Sequence, residues 1–205
     1  MSHLGTPPII CLITEGKANP ENYQTQSSAI IETARSAIRL GVNMIQVREK
    51  QLGGRMLFDL SRRLVESIAG TGALILVNDR ADVAAAAGAD GVHLPEAALP
   101  ADAVRSVFPD LLIGVSTHSL ASARSAVAAG ADYILFGPIF ETPGKGQPTG
   151  LDMLSDICRE LGTFPVLALG GIDDTNCSGV VAAGASGIGA IRSLNDPETC
   201  RRICR

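Results

Sequence analysis

Short apolar runs alternate with longer amphipathic segments along the whole chain. Most of the short runs are continuously apolar, as in parallel strands that are buried on both faces. Eight runs predict strands, at Ile9–Thr14, Met44–Arg48, Leu74–Asn78, Gly91–Leu94, Leu112–Ser116, Tyr133–Gly137, Val166–Leu169 and Gly187–Ile191. The intervening segments carry polar residues on one face and predict helices, for example at Ala29–Leu40, Met56–Ile68 and Leu120–Ala129.

A repeated tripeptide of small residues precedes four of these strands. It reads Leu40-Gly41-Val42, Ala87-Gly88-Ala89, Ala129-Gly130-Ala131 and Ala183-Gly184-Ala185. Each glycine falls where a helix ends in the left-handed conformation, which a side chain disfavours. Each interval between these glycines has room for two strands and two helices, so the repeat predicts four βαβα units.

Alternating strands and helices form either an open doubly wound sheet or a closed (β/α)₈ barrel. Eight units in 205 residues, without a long insertion or a linker, favour closure. We therefore predict that residues 1–205 form a single α/β domain, a (β/α)₈ TIM barrel. Such a barrel usually has a phosphate site at the ends of its seventh and eighth strands.

Composition narrows the class of partners. The formal net charge is −4 and aromatic residues make up 3% of the chain. A basic stripe with interleaved aromatic residues is therefore missing, and we expect no nucleic-acid partner. Residues 1–8 lack the pattern of a signal peptide, and no apolar run is long enough for a membrane span, so we expect a cytoplasmic protein without a membrane partner. A homo-oligomer is compatible with these features.

The five cysteines give no sign of disulfides or of a metal site. Their number is odd and no Cys-x-x-Cys pair occurs. Cys200 and Cys204 are four residues apart, but no histidine or second pair completes a zinc site. The pattern indicates free thiols in a reducing compartment.

Polar residues gather at the carboxyl ends of the predicted strands, where barrel enzymes place their catalytic groups. In chain order these candidate site residues are Gln46, Arg48, Lys50, Asn78, Asp79, Glu96, Ser116, His118, Thr142, Lys145, Gly170, Gly171, Arg192 and Ser193.

Two sets of these residues suggest anion binding, the glycine pair after the seventh strand and the basic residues after the second strand. Gly170-Gly171 would let backbone N–H groups approach a phosphate, although two glycines also suit a simple tight turn. Arg48 and Lys50 alternate along the second strand and would grip a diphosphate together with Lys145. The alternative for Arg48 is a structural ion pair at the barrel rim, with Asp79 or Glu49.

Two further side chains have both a chemical and a structural interpretation. Asp79 could bind a Mg²⁺ that accompanies the diphosphate, or it could cap the helix that begins at Arg80. His118 could transfer a proton near neutral pH, or it could cap the helix after Ser119. His93 is expected to be structural.

Several strings together resemble the thiamine phosphate synthase and thiazole tautomerase family along nearly the whole chain. They are QVREK at Gln46–Lys50, VNDR at Val77–Arg80, GADGVHL at Gly88–Leu94, GVSTH at Gly114–His118, GADYILFGPIFET at Gly130–Thr142 and PVLALGGI at Pro165–Ile172. The resemblance implies a transferase that joins hydroxymethylpyrimidine diphosphate to a thiazole phosphate with loss of diphosphate. Small phosphorylated pyrimidine and thiazole substrates are then the expected partners.

The resemblance also assigns roles to residues. It implies that Gln46 lies near the pyrimidine and that Asp79 binds Mg²⁺. It places the thiazole phosphate at Gly171 and the turn after the eighth strand. The positions that match those holding the diphosphate are Arg48, Lys50, Asn78 and Lys145.

Three positions depart from the synthase pattern. Ala98 stands where the family has a second metal-binding aspartate, so Mg²⁺ is an uncertain cofactor and Glu96 is the only nearby substitute. Gly144 replaces the threonine before the loop lysine, and Arg192 replaces a serine after the eighth strand. Two alternatives therefore stay open: a metal-independent thiazole tautomerase, an isomerase using His118, and a non-catalytic regulator that binds a phosphorylated ligand.

Overall fold

The computed structural model describes Leu4 and residues 8–205. The prediction that residues 1–8 do not form a signal peptide concerns a segment that lies mostly outside the described residues. The strands are β1 (Ile9–Ile13), β2 (Met44–Val47), β3 (Leu74–Asn78), β4 (Gly91–Leu94), β5 (Leu112–Thr117), β6 (Tyr133–Phe136), β7 (Val166–Leu169) and β8 (Gly187–Ala190). The helices are α1 (Tyr23–Leu40), α2 (Gly54–Ile68), α3 (Ala81–Ala87), α4 (Ala101–Val107), α5 (Leu120–Ala128), α6 (Gly150–Leu161), α7 (Cys177–Ala182), α8 (Arg192–Asn195) and α9 (Pro197–Ile203).

The strands form one closed parallel barrel in the order β1 to β8, and β8 pairs with β1. The (β/α)₈ prediction is confirmed. Three strands have the predicted bounds, and the other five differ by one residue at the carboxyl end. For β2 this correction matters, because the strand ends at Val47 and not at Arg48.

Helix α1 begins at Tyr23, six residues before the predicted Ala29. The extra turns are polar in sequence and carry no apolar stripe that the periodicity could detect. Tyr23 and Ser27 nevertheless face the protein and are buried. The Tyr23 hydroxyl donates to Asp59, and Arg63 donates to the Ser27 hydroxyl, so hydrogen bonds to α2 hold this part of the helix.

The repeated glycines end their helices as predicted. Gly41, Gly88, Gly130 and Gly184 all have positive φ, from +69° to +119°. After each, the next N–H bonds back to the carbonyl five residues earlier, which stops the helix and turns the chain toward a strand. In three repeats the following residue then accepts the N–H of a neighbouring strand: Asn43 from Ile10, Asp90 from Ile75 and Asp132 from Ile113.

Alternation along the strands separates two apolar layers. One set of side chains fills the barrel interior, and the other set packs against the helices. Toward the carboxyl ends the interior changes from apolar to polar, at Gln46, Asn78, His93 and Ser116. Among the described helices, none is long and apolar enough to cross a membrane.

Candidate active site

A cavity of about 870 Å³ opens at the carboxyl ends of β6, β7 and β8. Seven of the sequence-predicted residues line it: His118, Thr142, Lys145, Gly170, Gly171, Arg192 and Ser193. The other seven lie outside this lining, on the β2, β3, β4 and β5 side of the barrel mouth. We call the seven residues in the lining the cavity group. The other seven form the interior group, which consists of Gln46, Arg48, Lys50, Asn78, Asp79, Glu96 and Ser116.

Gly170 and Gly171 shape the floor of the cavity. They have φ of +103° and +64°, and both pack tightly on the loop after β6. A Cβ on Gly170 would lie 2.6 Å from Pro138, and one on Gly171 would lie 2.7 Å from the carbonyl oxygen of Glu141. Glycine is therefore required here by the turn and by the close approach of the loop after β6, and the backbone of both residues is partly exposed in the cavity lining.

Lys145 and Arg192 are the two basic side chains in the cavity lining. Both are exposed, and neither forms an ion pair within the described part of the chain. Ser193 is fixed by donating its hydroxyl to the carbonyl of Ile172, and Thr142 donates to Phe140. Arg192 is the first residue of helix α8, and β8 ends two residues before it at Ala190.

Four acids line the cavity, and sequence reasoning selected none of them as site residues: Glu141, Asp173, Asp174 and Asp196. Asp196 caps α9 by accepting the Thr199 N–H, and Asp174 pairs with Arg202 at 2.5 Å. Asp173 accepts hydrogen bonds from Thr175, which lower the pKa of its carboxyl. Among the described residues only Asp174 of these acids pairs with a cation, so a bound anion would have to lie against the glycine turn, Lys145 and Arg192, away from the carboxylates.

His118 stands at the edge of the cavity. Its Nδ1 contacts the carbonyl oxygen of Gly137, and its Nε2 lies 4.0 Å from a carboxylate oxygen of Glu96. A carbonyl only accepts, so Nδ1 carries a proton. The capping alternative is wrong, since Ser119 caps α5 and its hydroxyl accepts the Ser122 N–H.

The interior group begins with Gln46 and Asn78. The Gln46 side-chain amide donates to Asn78 at 3.1 Å, which ties β2 to β3 at the barrel mouth. The side-chain oxygen of Gln46, Oε1, is buried and has no partner among the described residues. A buried acceptor without a partner is costly, so this oxygen is a candidate contact for a donor on a ligand.

The segment Arg48–Lys50 follows β2 as a loop. Glu49 is buried and accepts the N–H groups of Gly16 and Ala18 at 3.0 and 2.8 Å. The structural alternative for Arg48, a rim ion pair with Asp79 or Glu49, is wrong, because no such ion pair forms among the described residues. Lys50 is exposed and lies beyond the strand, so strand alternation does not place it beside Arg48.

Asp79 is the one described residue other than glycine with positive φ, at +64°. Its N–H donates to the carbonyl of His93 at 2.9 Å. It does not cap α3, as one alternative held, because Arg80 occupies the N-cap position and pairs with Asp82. The Asp79 carboxylate is exposed and bonds to no other described side chain, and strain of this kind is common at functional sites.

His93 lies fully buried behind Ser116. Burial, together with the nearby positive charge of Arg48, lowers the pKa of His93 to about 3. Its ring nitrogens contact the Tyr133 hydroxyl at 3.1 Å and the Ser116 hydroxyl at 2.8 Å. The imidazole is therefore neutral at physiological pH and forms part of the barrel interior, in line with the structural role expected for it.

The donor set for Mg²⁺ is small. No group of three metal-binding side chains occurs within the described residues. Asp79 offers a carboxylate without a protein partner, whereas Glu96 lies beside His118 and Ala98 offers no oxygen. Mg²⁺ commonly binds one or two carboxylates together with substrate phosphates. The residues therefore fit a Mg²⁺ held by Asp79 and by the oxygens of a bound diphosphate.

A closed parallel barrel with cations and a glycine turn at its carboxyl rim places the chain among the (β/α)₈ barrels, whose active sites lie at this rim. A sequence model described as "Thiamine monophosphate synthase" matches residues 10–194. The chain belongs to this enzyme family.

Individual relatives agree with the family match. The chain is 38% identical to the thiamine-phosphate synthase of Chlorobium luteolum, over 97% of this chain and 90% of that protein. It is 44% identical to the thiamine-phosphate synthase of Gloeobacter violaceus, over 80% of this chain and 49% of that longer protein. The solved structure of thiamine phosphate pyrophosphorylase from Pyrococcus furiosus matches with a TM-score of 0.83 and 30% identity, covering 98% of this chain and 94% of that one.

Proposed function

We propose that the protein joins hydroxymethylpyrimidine diphosphate to a thiazole phosphate. The bond between the pyrimidine methylene carbon and the diphosphate oxygen breaks, and its electron pair leaves with the diphosphate. The lone pair of the thiazole nitrogen then forms a new carbon–nitrogen bond to the methylene cation. No proton has to move, so catalysis depends on stabilising the leaving anion.

The observation that carries this proposal is the cavity, with Lys145 and Arg192 in its lining and the partly exposed backbone of Gly171 at its floor. A phosphate bound at Gly171 and Ser193 would meet both backbone and cationic groups. This part of the site suits the thiazole phosphate, and Thr142 and Gly170 shape its wall.

The interior group suits the pyrimidine diphosphate. Gln46 has an acceptor without a partner, which fits an amino group on the pyrimidine. Ser116 lies in the same interior layer, toward the carboxyl ends of the strands. The diphosphate would then be held by Arg48, Lys50, Asn78 and Lys145.

Asp79 would hold a Mg²⁺ that arrives with the diphosphate, and Glu96 is less suited because it faces His118. When bound, the ion would neutralise negative charge on the leaving diphosphate. The positive φ of Asp79 and its free carboxylate support this assignment.

The test uses the purified protein and two substrate sets, each with and without Mg²⁺. Condensation that depends on Mg²⁺ supports the proposal. Isomerisation of a carboxythiazole phosphate without metal, abolished in His118→Asn, would select the tautomerase instead. Phosphate-ligand binding with neither reaction would select the regulator.

A pair of variants checks the role of the cavity. Lys145→Ala removes a cavity cation, and Arg159→Ala removes an exposed cation of α6 outside the cavity. We expect condensation to fall at least about tenfold in the first variant only, since a charge-assisted hydrogen bond is worth about 1.5–3 kcal/mol. Equal activity in the two variants would contradict the assignment.

A further inference from the structure

Three residues form one row across neighbouring strands of the barrel. His93 of β4 pairs with Gly114 of β5, and Gly114 pairs with Tyr133 of β6. A Cβ on Gly114 would lie 2.1–2.3 Å from atoms of the Tyr133 ring, including its hydroxyl oxygen. Because the middle residue is glycine, the Tyr133 ring can cross β5 inside the barrel and reach His93.

A chain of hydrogen bonds runs from this row toward the barrel mouth. The Tyr133 hydroxyl lies 3.1 Å from His93 Nδ1, and His93 Nε2 lies 2.8 Å from the Ser116 hydroxyl. Tyr133 is completely buried and His93 is 2% exposed, whereas Ser116 is partly exposed. Ser116 lies two residues beyond Gly114 on β5 and so faces the same interior.

Burial determines which atom donates in each of these hydrogen bonds. The Tyr133 hydroxyl has no acceptor among the described residues except His93 Nδ1. A buried hydroxyl proton without an acceptor is costly, so Tyr133 donates to Nδ1. A neutral imidazole carries one proton, which then lies on Nε2 and is donated to the Ser116 oxygen. The proton of Ser116 is left free to point into the site.

We propose that Tyr133 and His93 are positioning residues that make Ser116 a hydrogen-bond donor toward the substrate. In the opposite tautomer Ser116 would turn its proton inward and offer only lone pairs to the site. The row therefore selects a substrate that presents an acceptor at this point, such as a ring nitrogen or an oxygen of the pyrimidine diphosphate. The identity of that substrate rests on the proposed function, whereas the tautomer does not.

Nitrogen-15 NMR of the ligand-free protein reads the tautomer directly. We expect the His93 proton on Nε2 and the His118 proton on Nδ1, since His118 faces the carbonyl of Gly137. The chain has three histidines, so the spectrum contains three imidazoles, and the variants His3→Gln and His118→Gln identify two of them and leave the signal of His93. A His93 that carries its proton on Nδ1 overturns the proposal, whether or not the protein shows any activity.

A variant series then measures the consequence. Tyr133→Phe removes the buried donor and should mix the two His93 tautomers. It should also lower kcat/KM for the diphosphate substrate about two- to tenfold, the effect of one neutral hydrogen bond. Tyr23→Phe is the matched control, because its hydroxyl bonds to Asp59 on the outer layer. It should change neither the tautomers nor the kinetics.

The Ser116→Ala background separates positioning from general damage to the barrel. If Tyr133 acts through Ser116, Tyr133→Phe should cause no further kinetic loss once Ser116 is alanine. An equal loss in both backgrounds would show that Tyr133 only supports the barrel and would overturn the proposal. If condensation is absent altogether, the proposed function fails while the NMR result still decides the tautomer.

Discussion

Gly171→Ala is the sharpest test of how the glycine turn is built, because the chain supplies a matched control in Gly88→Ala. The two glycines have nearly the same φ, +64° and +69°. Left-handed backbone costs a residue with a side chain about 1–2 kcal/mol, and this cost applies to both variants. A Cβ on Gly88 meets no atom within 4 Å, whereas one on Gly171 lies 2.7 Å from the Glu141 carbonyl oxygen and 2.8 Å from the Phe140 Cβ.

The additional contact should cost Gly171→Ala about 1–3 kcal/mol more than Gly88→Ala, the usual penalty for overpacking. For a chain of this length 1 kcal/mol lowers Tm by about 2–4 °C. Thermal unfolding followed by circular dichroism measures the difference. Gly171→Ala should also weaken binding of the thiazole phosphate, measured by calorimetry, because the loop that carries Thr142 and Lys145 must move. Equal losses of Tm and unchanged binding would refute the packing argument.

Three further predictions concern charged groups. Lys50→Ala should lower kcat/KM for the diphosphate substrate about tenfold and leave thiazole phosphate binding unchanged, whereas Lys17→Ala should change neither; equal losses in steady-state and binding assays would reject the diphosphate role. His93 has a folded pKa of about 3 against 6.5 for a free histidine, so its stabilising contribution is complete above pH 6.5 and declines as pH falls toward 3. Between these two pKa values, His93 should make the free energy of unfolding, measured with urea, rise by up to about 1.4 kcal/mol per pH unit. His93→Gln should remove this part of the pH dependence. Glu49→Ala should leave the N–H groups of Gly16 and Ala18 without an acceptor. The free energy of unfolding, measured with urea, should then fall by about 2–4 kcal/mol.

The barrel was predictable because its signals are local. Continuous apolar runs mark strands buried on both faces, and Gly41, Gly88, Gly130 and Gly184 mark the ends of helices. The polar start of α1 was not predictable, because Tyr23 and Ser27 are buried through hydrogen bonds to α2 and not through apolar contacts.

The arrangement of the site was only partly predictable. Its residues were found from their position after each strand, but their grouping depends on side-chain partners in distant loops. Glu49, for example, turns to Gly16 and Ala18 in the loop after β1, and no spacing in the sequence records that bond. The proximity of Glu96 to His118 likewise depends on two separate loops meeting at the rim.

The division of the site into two groups fits a reaction between two unlike substrates. The cavity group brings two cations and the backbone of the glycine turn, which suit a phosphate. The interior group combines amide and hydroxyl groups, which suit a heterocycle, with Arg48 and Lys50, which suit its diphosphate. The two groups meet at the end of β5, where Ser116 belongs to the interior and His118 lines the cavity only two residues later. A substrate held by Ser116 and another held at Gly171 would therefore have their reactive atoms brought together near β5 and β6. Because condensation would need such proximity more than it needs an acid or a base, the missing carboxylate at Ala98 would leave this arrangement in place.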